Sequence, residues 1–505
     1  MFALALFLLL LPSEKKIQID SSRVASIGKY SITVRDLMDS YEFGPAFVKQ
    51  HKNPLRSHLE FMIYERLLAL DAEAMQFDTT KFVKERTAGL EEDLTVDELY
   101  KKEILSKSSL TTNEIERGIA KAKVQLRMRW IFAMTKQEAE HIHKKLAQGL
   151  SFDSLFSGQE NPDGKKYETS VLKLERDNPA FAKALSSVKN QEISAPIKGT
   201  DGFYIVRLDE VWQNPVTTET EYVRLKDEAI KIVSIIKANR LADAYVSMKM
   251  KIARPIIKSG GYNILRAFLA DKGLSRETKL KWDIPSTFMT EAGALPITSS
   301  GKFLNKILVT YNKRTLTVQD YLRWFDIRQF QLKTSSLEAF NASVKQTIWK
   351  MAQDRMLSEE AYSQGLDKLD TVRSETLKWN VKLLYLAARA HYTRSIVIPD
   401  SVIRVRYNSR KNIYRDDKGK QFSFADAKRI VWEDLYREEE VKILTKRLQQ
   451  LKQQYPVTVN EILVQQVSTT MQPEPSPINM MMYKPGGTFP RVAFPTIDDA
   501  WYYFE

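Results

Sequence analysis

Two of the chain's five histidines, His141 and His143, stand two residues apart in "TKQEAEHIHKKLAQG". Imidazole is the side chain that titrates near neutral pH, so this pair is the first candidate for acid–base or metal chemistry. On a helix, however, positions i and i+2 point to different faces. The pair is therefore expected to face solvent, neither gripping one metal nor relaying one proton. The 505 residues contain no cysteine, which removes disulfides, thiolate metal sites and thiol nucleophiles. No Walker-type glycine-rich loop is present, so ATP is not implied. Nothing in the sequence calls for a cofactor or a metal.

The elements that must position any site read as mixed. "VQLRMRWIFA", which carries Trp130, alternates as a strand over Gln125–Ala133, and a helix is expected over Lys136–Ala147, ending at Gly149. "SFDSLF" starts a second helix, and "SVLKL" reads as a strand. "NPAFAKALSSV" places Pro179 at the first helical position. "QEISAPIKGTDGFYIVRLDEV" gives two strands around Gly202. Outside this stretch the chain is mostly helical. Thr33 is a helix cap, and Thr95/Glu98 and Thr112/Glu115 have the spacing of capping boxes.

The composition, 43% hydrophobic and 28% charged, is that of a folded chain. The net charge of +14 is spread over mixed-sign helices such as "YREEEVKILTKRLQQLKQQ". No compact basic cluster accompanies it, which argues against nucleic acid. Residues 1–20 contain the apolar run Phe2–Leu11 followed by Pro12. That run is shorter than the ~20 residues of a membrane span, so it is expected to be a signal peptide or a membrane tether, and the chain to be exported to the periplasm. The tail, 471–505, is rich in Pro and Met and ends in "WYYFE". It is expected to be extended, more readily a strap on the body than a docking peptide.

The chain repeats itself. "YSITVRDL" (Tyr30–Leu37) is echoed by "RTLTVQDY" (Arg314–Tyr321), and "ERLLALDAEAMQFD" (Glu65–Asp78) by "DRMLSEEAYSQGLD" (Asp354–Asp367), at nearly the same offset. Each half also ends in a long amphipathic helix. Two copies of one plan are expected: a helical segment 21–122, an insert 123–212 and a closing helix 213–255; a connector 256–300; then a second helical unit 301–470. In the second unit the insert is reduced to a polar loop around "NSRKNIYRDDKGKQ".

The insert resembles a parvulin-type peptidyl-prolyl isomerase domain. The resemblance rests on "TKQEAEHIHKKLAQGLSFDSLF" and on "NPAFAKALSSVKNQEISAPIKGTDGFYIVRL", with Glu192, Ile193, Ser194, Pro196, Gly202 and Ile205 its most specific part. The flanking "VASIGKYSITVRDL" and the closing helix are similar to the chaperone body of SurA, PpiD and PrsA proteins. The fold implied is α+β: a mostly helical, duplicated body with one inserted parvulin-like domain.

The resemblance also implies two catalytic histidines, and here the chain departs from it. Those positions hold Trp130 and Tyr204. Of the proline-pocket positions, one is kept as Phe181, and the others hold Asp177 and Ser186. Isomerisation about an X–Pro bond needs no covalent step, only better binding of the twisted amide than of the planar one. With no histidine at either position, the expected function is binding of unfolded or proline-containing envelope and outer-membrane polypeptides, with isomerase activity weak or lost. The groove candidates are Trp130, Asp177, Phe181, Ser186 and Tyr204. The competing readings are an active divergent isomerase and an envelope structural component that docks through its terminus. If β-strands carrying Trp130 and Tyr204 are adjacent, the two rings are expected to form a cross-strand pair.

Overall fold

The structure, a computed structural model, describes residues 21–159, 164, 166–199, 202–215, 218–284, 303–328, 330–416, 418–470 and 494–504. The apolar leader and the Pro/Met part of the tail lie outside the described residues. The chain opens with β1 (Arg23–Ile27), β2 (Tyr30–Thr33), α1 (Val34–Glu42), α2 (Pro54–Ala74), α3 (Lys81–Glu103) and α4 (Thr112–Lys123). The insert follows as β3 (Val124–Ala133), α5 (Lys136–Ala147), α6 (Phe152–Ser157), β4 (Lys166–Ser170), α7 (Val171–Asp177), α8 (Pro179–Leu185), β5 (Ile197–Lys198) and β6 (Phe203–Gln213). Next come α9 (Glu219–Ala253), β7 (Ile256–Ile257), α10 (Ser259–Gly273), α11 (Arg276–Lys281), β8 (Ile307–Tyr311), β9 (Arg314–Thr317), α12 (Val318–Arg328) and α13 (Leu337–Ser363). The chain closes with α14 (Asp370–Thr393), α15 (Asp400–Ser409), α16 (Phe424–Gln454), β10 (Val457–Val459) and α17 (Glu461–Thr470). The fold is mostly helical α+β. Among the described residues no helix is long and apolar enough to cross a membrane.

Local chemistry explains the repeated pieces. In the first copy Thr33 Oγ1 accepts from the Asp36 amide at 3.1 Å, and Asp36 accepts from the Thr33 amide at 3.0 Å. Thr317 and Asp320 build the same capping box at 3.2 and 2.8 Å. The turn after α2 uses Gln76 at φ 61°, and the turn after α13 uses Gly365 at φ 68°. Tyr30 donates to Glu73, and Tyr311 to Glu359, tying each hairpin to the helix behind it.

The chain divides into unit 1, residues 1–97 with 361–505, and unit 2, residues 98–360. In unit 1 the hairpin β1–β2 takes β10 as its third strand, with Ala25 opposite Val459 and Ile27 opposite Val457. Its core joins Leu59, Leu67 and Leu68 of α2 to Leu384 and Ala388 of α14 and Leu444 and Leu451 of α16. In unit 2 the hairpin β8–β9 takes β7, with Ile256 opposite Thr310. There Leu265 and Ala270 of α10 pack with Leu308, Tyr321 and Phe340.

The two copies are thus exchanged. The expected body of 21–122 closed by 213–255, followed by a separate body of 301–470, does not form. The opening hairpin of each copy is completed by the closing strand of the other. Both hairpins present the same kind of edge, so pattern alone could not assign the partners. The stretch 256–300, read as a connector, supplies β7 and α10, which are core elements.

Four further expectations are also corrected. Thr95 caps nothing: it lies fully buried within α3 and donates to the Glu91 carbonyl at 2.7 Å. The box expected at Thr112/Glu115 sits one residue earlier, at Thr111/Glu114. "SVLKL" is not a strand, because the Ser170 side chain accepts from the Lys173 amide and starts α7. The reduced second insert is more than a polar loop, since α15 packs Ile403 and Tyr407 on Val431 and Leu435 of α16.

Candidate functional site

The insert folds around a four-stranded antiparallel sheet in the order β4–β3–β6–β5. Alternation along β3 and β6 sends residues to two faces. One face holds Ile131 and Ile205 against Phe152 and Phe156 of α6 and Ile142 and Leu146 of α5. The other holds Leu126, Met128, Val206 and Leu208 against Leu174 of α7 and Phe181 and Leu185 of α8, with Trp130 and Tyr204 packed at its margin.

Trp130, Phe181 and Tyr204 therefore share one face, as the sequence reading required. The pairing differs from the one expected. Trp130 lies opposite Val206, and Phe132 lies opposite Tyr204. Trp130 and Tyr204 are diagonal neighbours instead of a direct pair. The Tyr204 ring meets Phe132 edge-on at 5.3 Å and Phe181 edge-on at 5.2 Å. Such edge-to-face pairs contribute about 0.5–1.5 kcal/mol beyond the area they bury.

Phe132 was missed by sequence reasoning. Its signal was the two-residue period of β3, which puts it on the face of Trp130. Gly202 makes room for it. A Cβ on Gly202 would stand 2.5 Å from the Phe132 ring and 2.6 Å from the Ala133 carbonyl oxygen. Gly202→Ala is accordingly expected to destabilise the insert by about 1–3 kcal/mol. It should also part Phe132 from Tyr204, read as lost ring-to-ring NMR contacts. Unchanged contacts and stability would show that the ring is loosely held.

The other two candidates lie elsewhere. Asp177, exposed at the end of α7, is held by Arg176, with contacts of 2.6 and 2.9 Å. The hydrogen bonds from that guanidinium hold its carboxyl below the usual range, against the opposing effect of partial burial. Ser186, exposed after α8, donates to the Lys183 carbonyl at 2.7 Å. Neither joins the aromatic cluster. The shape of the neighbouring strand depends instead on buried Ser194, whose Oγ accepts from the Val206 amide at 3.0 Å.

His141 and His143 belong to α5, which covers the opposite face through Ile142. That face also carries a closed ionic square. Arg129 contacts Asp209 at 2.6 Å and Asp153 at 2.7 Å, and Arg207 contacts Asp209 at 2.7 Å and Asp153 at 3.0 Å. Hydrogen bonds from Arg129 and then Arg207 depress the Asp153 carboxyl. Each charge in the square is matched, so it staples strands to α6 and offers no poised acid or base. Among the described residues no group of three or more His, Asp or Glu side chains is arranged to hold a metal ion. The aromatic face can stack on an apolar or proline ring and exclude water. It has no imidazole among its described residues to move a proton.

Residues 121–223 match the family model of the PPIC-type PPIASE domain. No match is found among curated proteins. Similar solved structures include peptidylprolyl isomerase PrsA from Bacillus anthracis, at 17% identity over 38% of this chain and 96% of that one, with a TM-score of 0.22. Foldase protein PrsA from Streptococcus pneumoniae shares 15% identity over 44% of this chain and 87% of that one, with a TM-score of 0.21. PrsA from Bacillus subtilis shares 19% identity over 43% and 92%, with a TM-score of 0.17. The family model, rather than these distant likenesses, makes the assignment: residues 121–223 of this chain are a PPIC-type peptidyl-prolyl isomerase domain.

Proposed function

We propose that the protein is an exported folding chaperone of the parvulin class that binds unfolded envelope and outer-membrane polypeptides, with isomerase activity weak or lost. One observation carries this reading. Where the resemblance implies catalytic histidines the chain has Trp130 and Tyr204, and Tyr204 is engaged by Phe132 and Phe181 in an aromatic cluster. Such a face binds apolar segments and prolines by stacking and burial. It has no imidazole to poise for the twisted amide, so it holds more readily than it turns over. The +14 charge aids capture of acidic chains. Two copies of the body plan would give weak contacts avidity if both engage one client. Export rests on the apolar leader.

The test is exchange NMR on an X–Pro peptide, run beside suppression of aggregation of an unfolded client. Uncatalysed isomerisation takes about tens to hundreds of seconds. The expected result is no acceleration at high protein concentration together with clear suppression of aggregation. Acceleration that disappears in Phe181→Ala would instead establish an active isomerase working without its histidines.

A further inference from the structure

The described end of the tail, residues 494–504, is laid on unit 1 as a peptide ligand is laid in a receptor. It forms no strand there. Its one regular piece is a 3₁₀ turn, Asp499–Tyr503, capped by Asp498. That turn drives Trp501 into a slot where the ring is only 1% exposed. Phe61 and Tyr385 stack on it at 5.6 and 5.8 Å, and Tyr64 and Phe504 close the sides at 5.6 and 4.7 Å.

Beside the slot is an ionic clamp. Asp498 Oδ2 accepts from Arg389 at 2.7 Å and from the Tyr385 hydroxyl at 3.2 Å. The Asp498 amide and the Trp501 indole N–H both donate to Glu65 Oε1, at 2.9 and 3.1 Å. Burial opposes the charge on Asp498, but Lys382 and Arg389 outweigh it and hold the carboxyl below its usual range.

The rest of the segment is held unevenly: Ile497 is buried in the unit 1 core, Phe494 stacks on Phe43 at 6.4 Å and Tyr502 meets Phe47 edge-on at 5.6 Å. Tyr502 and Tyr503 are about half exposed. A cavity of about 40 Å³ remains between residues 494–497 and Asp36, Asp39, Lys378 and Lys382. Two buried apolar anchors, Trp501 and Ile497, one clamped carboxylate and half-exposed tyrosines beside them make the pattern of a recognised peptide. Residues 471–493 tether the segment to the body, which places it at a millimolar-order effective concentration.

We propose that the Trp501 slot is a peptide-binding site, filled in cis by the chain's own terminus, and that it exchanges this occupant for client segments carrying a carboxylate three residues before an aromatic ring. The client half of this assignment rests on the chaperone reading above. The tail then sets a threshold, since only segments that outcompete a tethered ligand gain the slot.

The probe is a fluorescent synthetic peptide of Phe494–Glu505, titrated into the full chain and into a chain ending at Ala493. The truncated chain is expected to bind it with micromolar affinity, and the full chain about 1,000-fold more weakly. Peptides with Asp498→Ala or Trp501→Ala should fail to bind. A folded truncated chain that ignores the peptide overturns the proposal.

If truncation unfolds unit 1, a protease site placed within residues 471–493 of the full chain keeps the question open. After cleavage the labelled peptide should replace the severed tail, and a tail that never exchanges is a core element and overturns the proposal. Aggregation suppression is measured on the same samples. Suppression retained without peptide binding sinks the slot alone. Peptide binding with no gain in suppression on truncation sinks the client assignment.

Discussion

Lowering the pH from 7 to 4.5 is expected to cost unit 1 about 3 kcal/mol of stability through His58 alone. His58 lies on α2, 1% exposed. Its Nε2 stands 2.9 Å from Ser40 Oγ, and among the described residues its Nδ1 has no hydrogen-bond partner. Tyr41 covers it edge-on at 5.4 Å. Burial first, then the charges of Lys382, Lys49 and Arg66, push its pKa down from 6.5 to about 3.

The unfolded chain therefore takes up a proton through a range in which the folded chain refuses it. The state that binds more protons gains as pH falls, so stability is full above pH 6.5 and declines steadily toward pH 3. Asp36 and Asp498, whose carboxyls are depressed below 3.8, add their own losses only at lower pH. Amide hydrogen exchange of α2 and α14, followed from pH 7 to 4.5, measures the slope. His58→Phe should flatten it. A slope that survives the substitution would place its origin in other groups.

Glu65→Ala is expected to destabilise unit 1 by about 3–5 kcal/mol, the cost of leaving a buried charge without its partner. Glu65 is 5% exposed and its Oε1 lies 2.6 Å from Lys382 Nζ. It also accepts from the Trp501 indole and the Asp498 amide. Its removal strands an ammonium and two N–H donors at once. The double variant Glu65→Ala with Lys382→Met should recover a large part of the loss, because the stranded charge goes with it. Urea unfolding read by exchange of the α2 and α14 amides separates the two effects. Equal losses in the single and double variants would mean that the N–H groups, not the charge, set the cost.

Local chemistry was legible in this sequence, and long-range partnership was not. Thr33 with Asp36, Pro179 at a helix start and the period of β3 each act within a few residues, so pattern reading finds them. Thr95 shows where that stops. It has the spacing of a cap, yet burial of Val96 and Leu99 beside it carries α3 straight through. Trp130 and Tyr204 were placed on one face correctly, because strand period decides the face. Register decides who meets whom, and it gave Tyr204 to Phe132. The exchange of closing strands was illegible for a related reason. β1 and β8 are equivalent edges, and nothing local distinguishes β10 from β7 as a partner. The Trp501 slot is built from α2, α14 and the terminus, stretches that no sequence window joins.

The pairing of Ala25 with Val459 has a consequence for the order in which the molecule can be made. A chain emerging from its N-terminus completes residues 98–360 long before β10 exists. Unit 2 can close early, while the β1 edge waits, open to pairing with any other strand it meets. Bringing its ends together is a large loop closure, which slows the last step. A translation pause between β9 and β10 would prolong that vulnerable interval. Removing β10 would not leave an intact first body behind, since the hairpin β1–β2 is finished by a strand made far downstream of it.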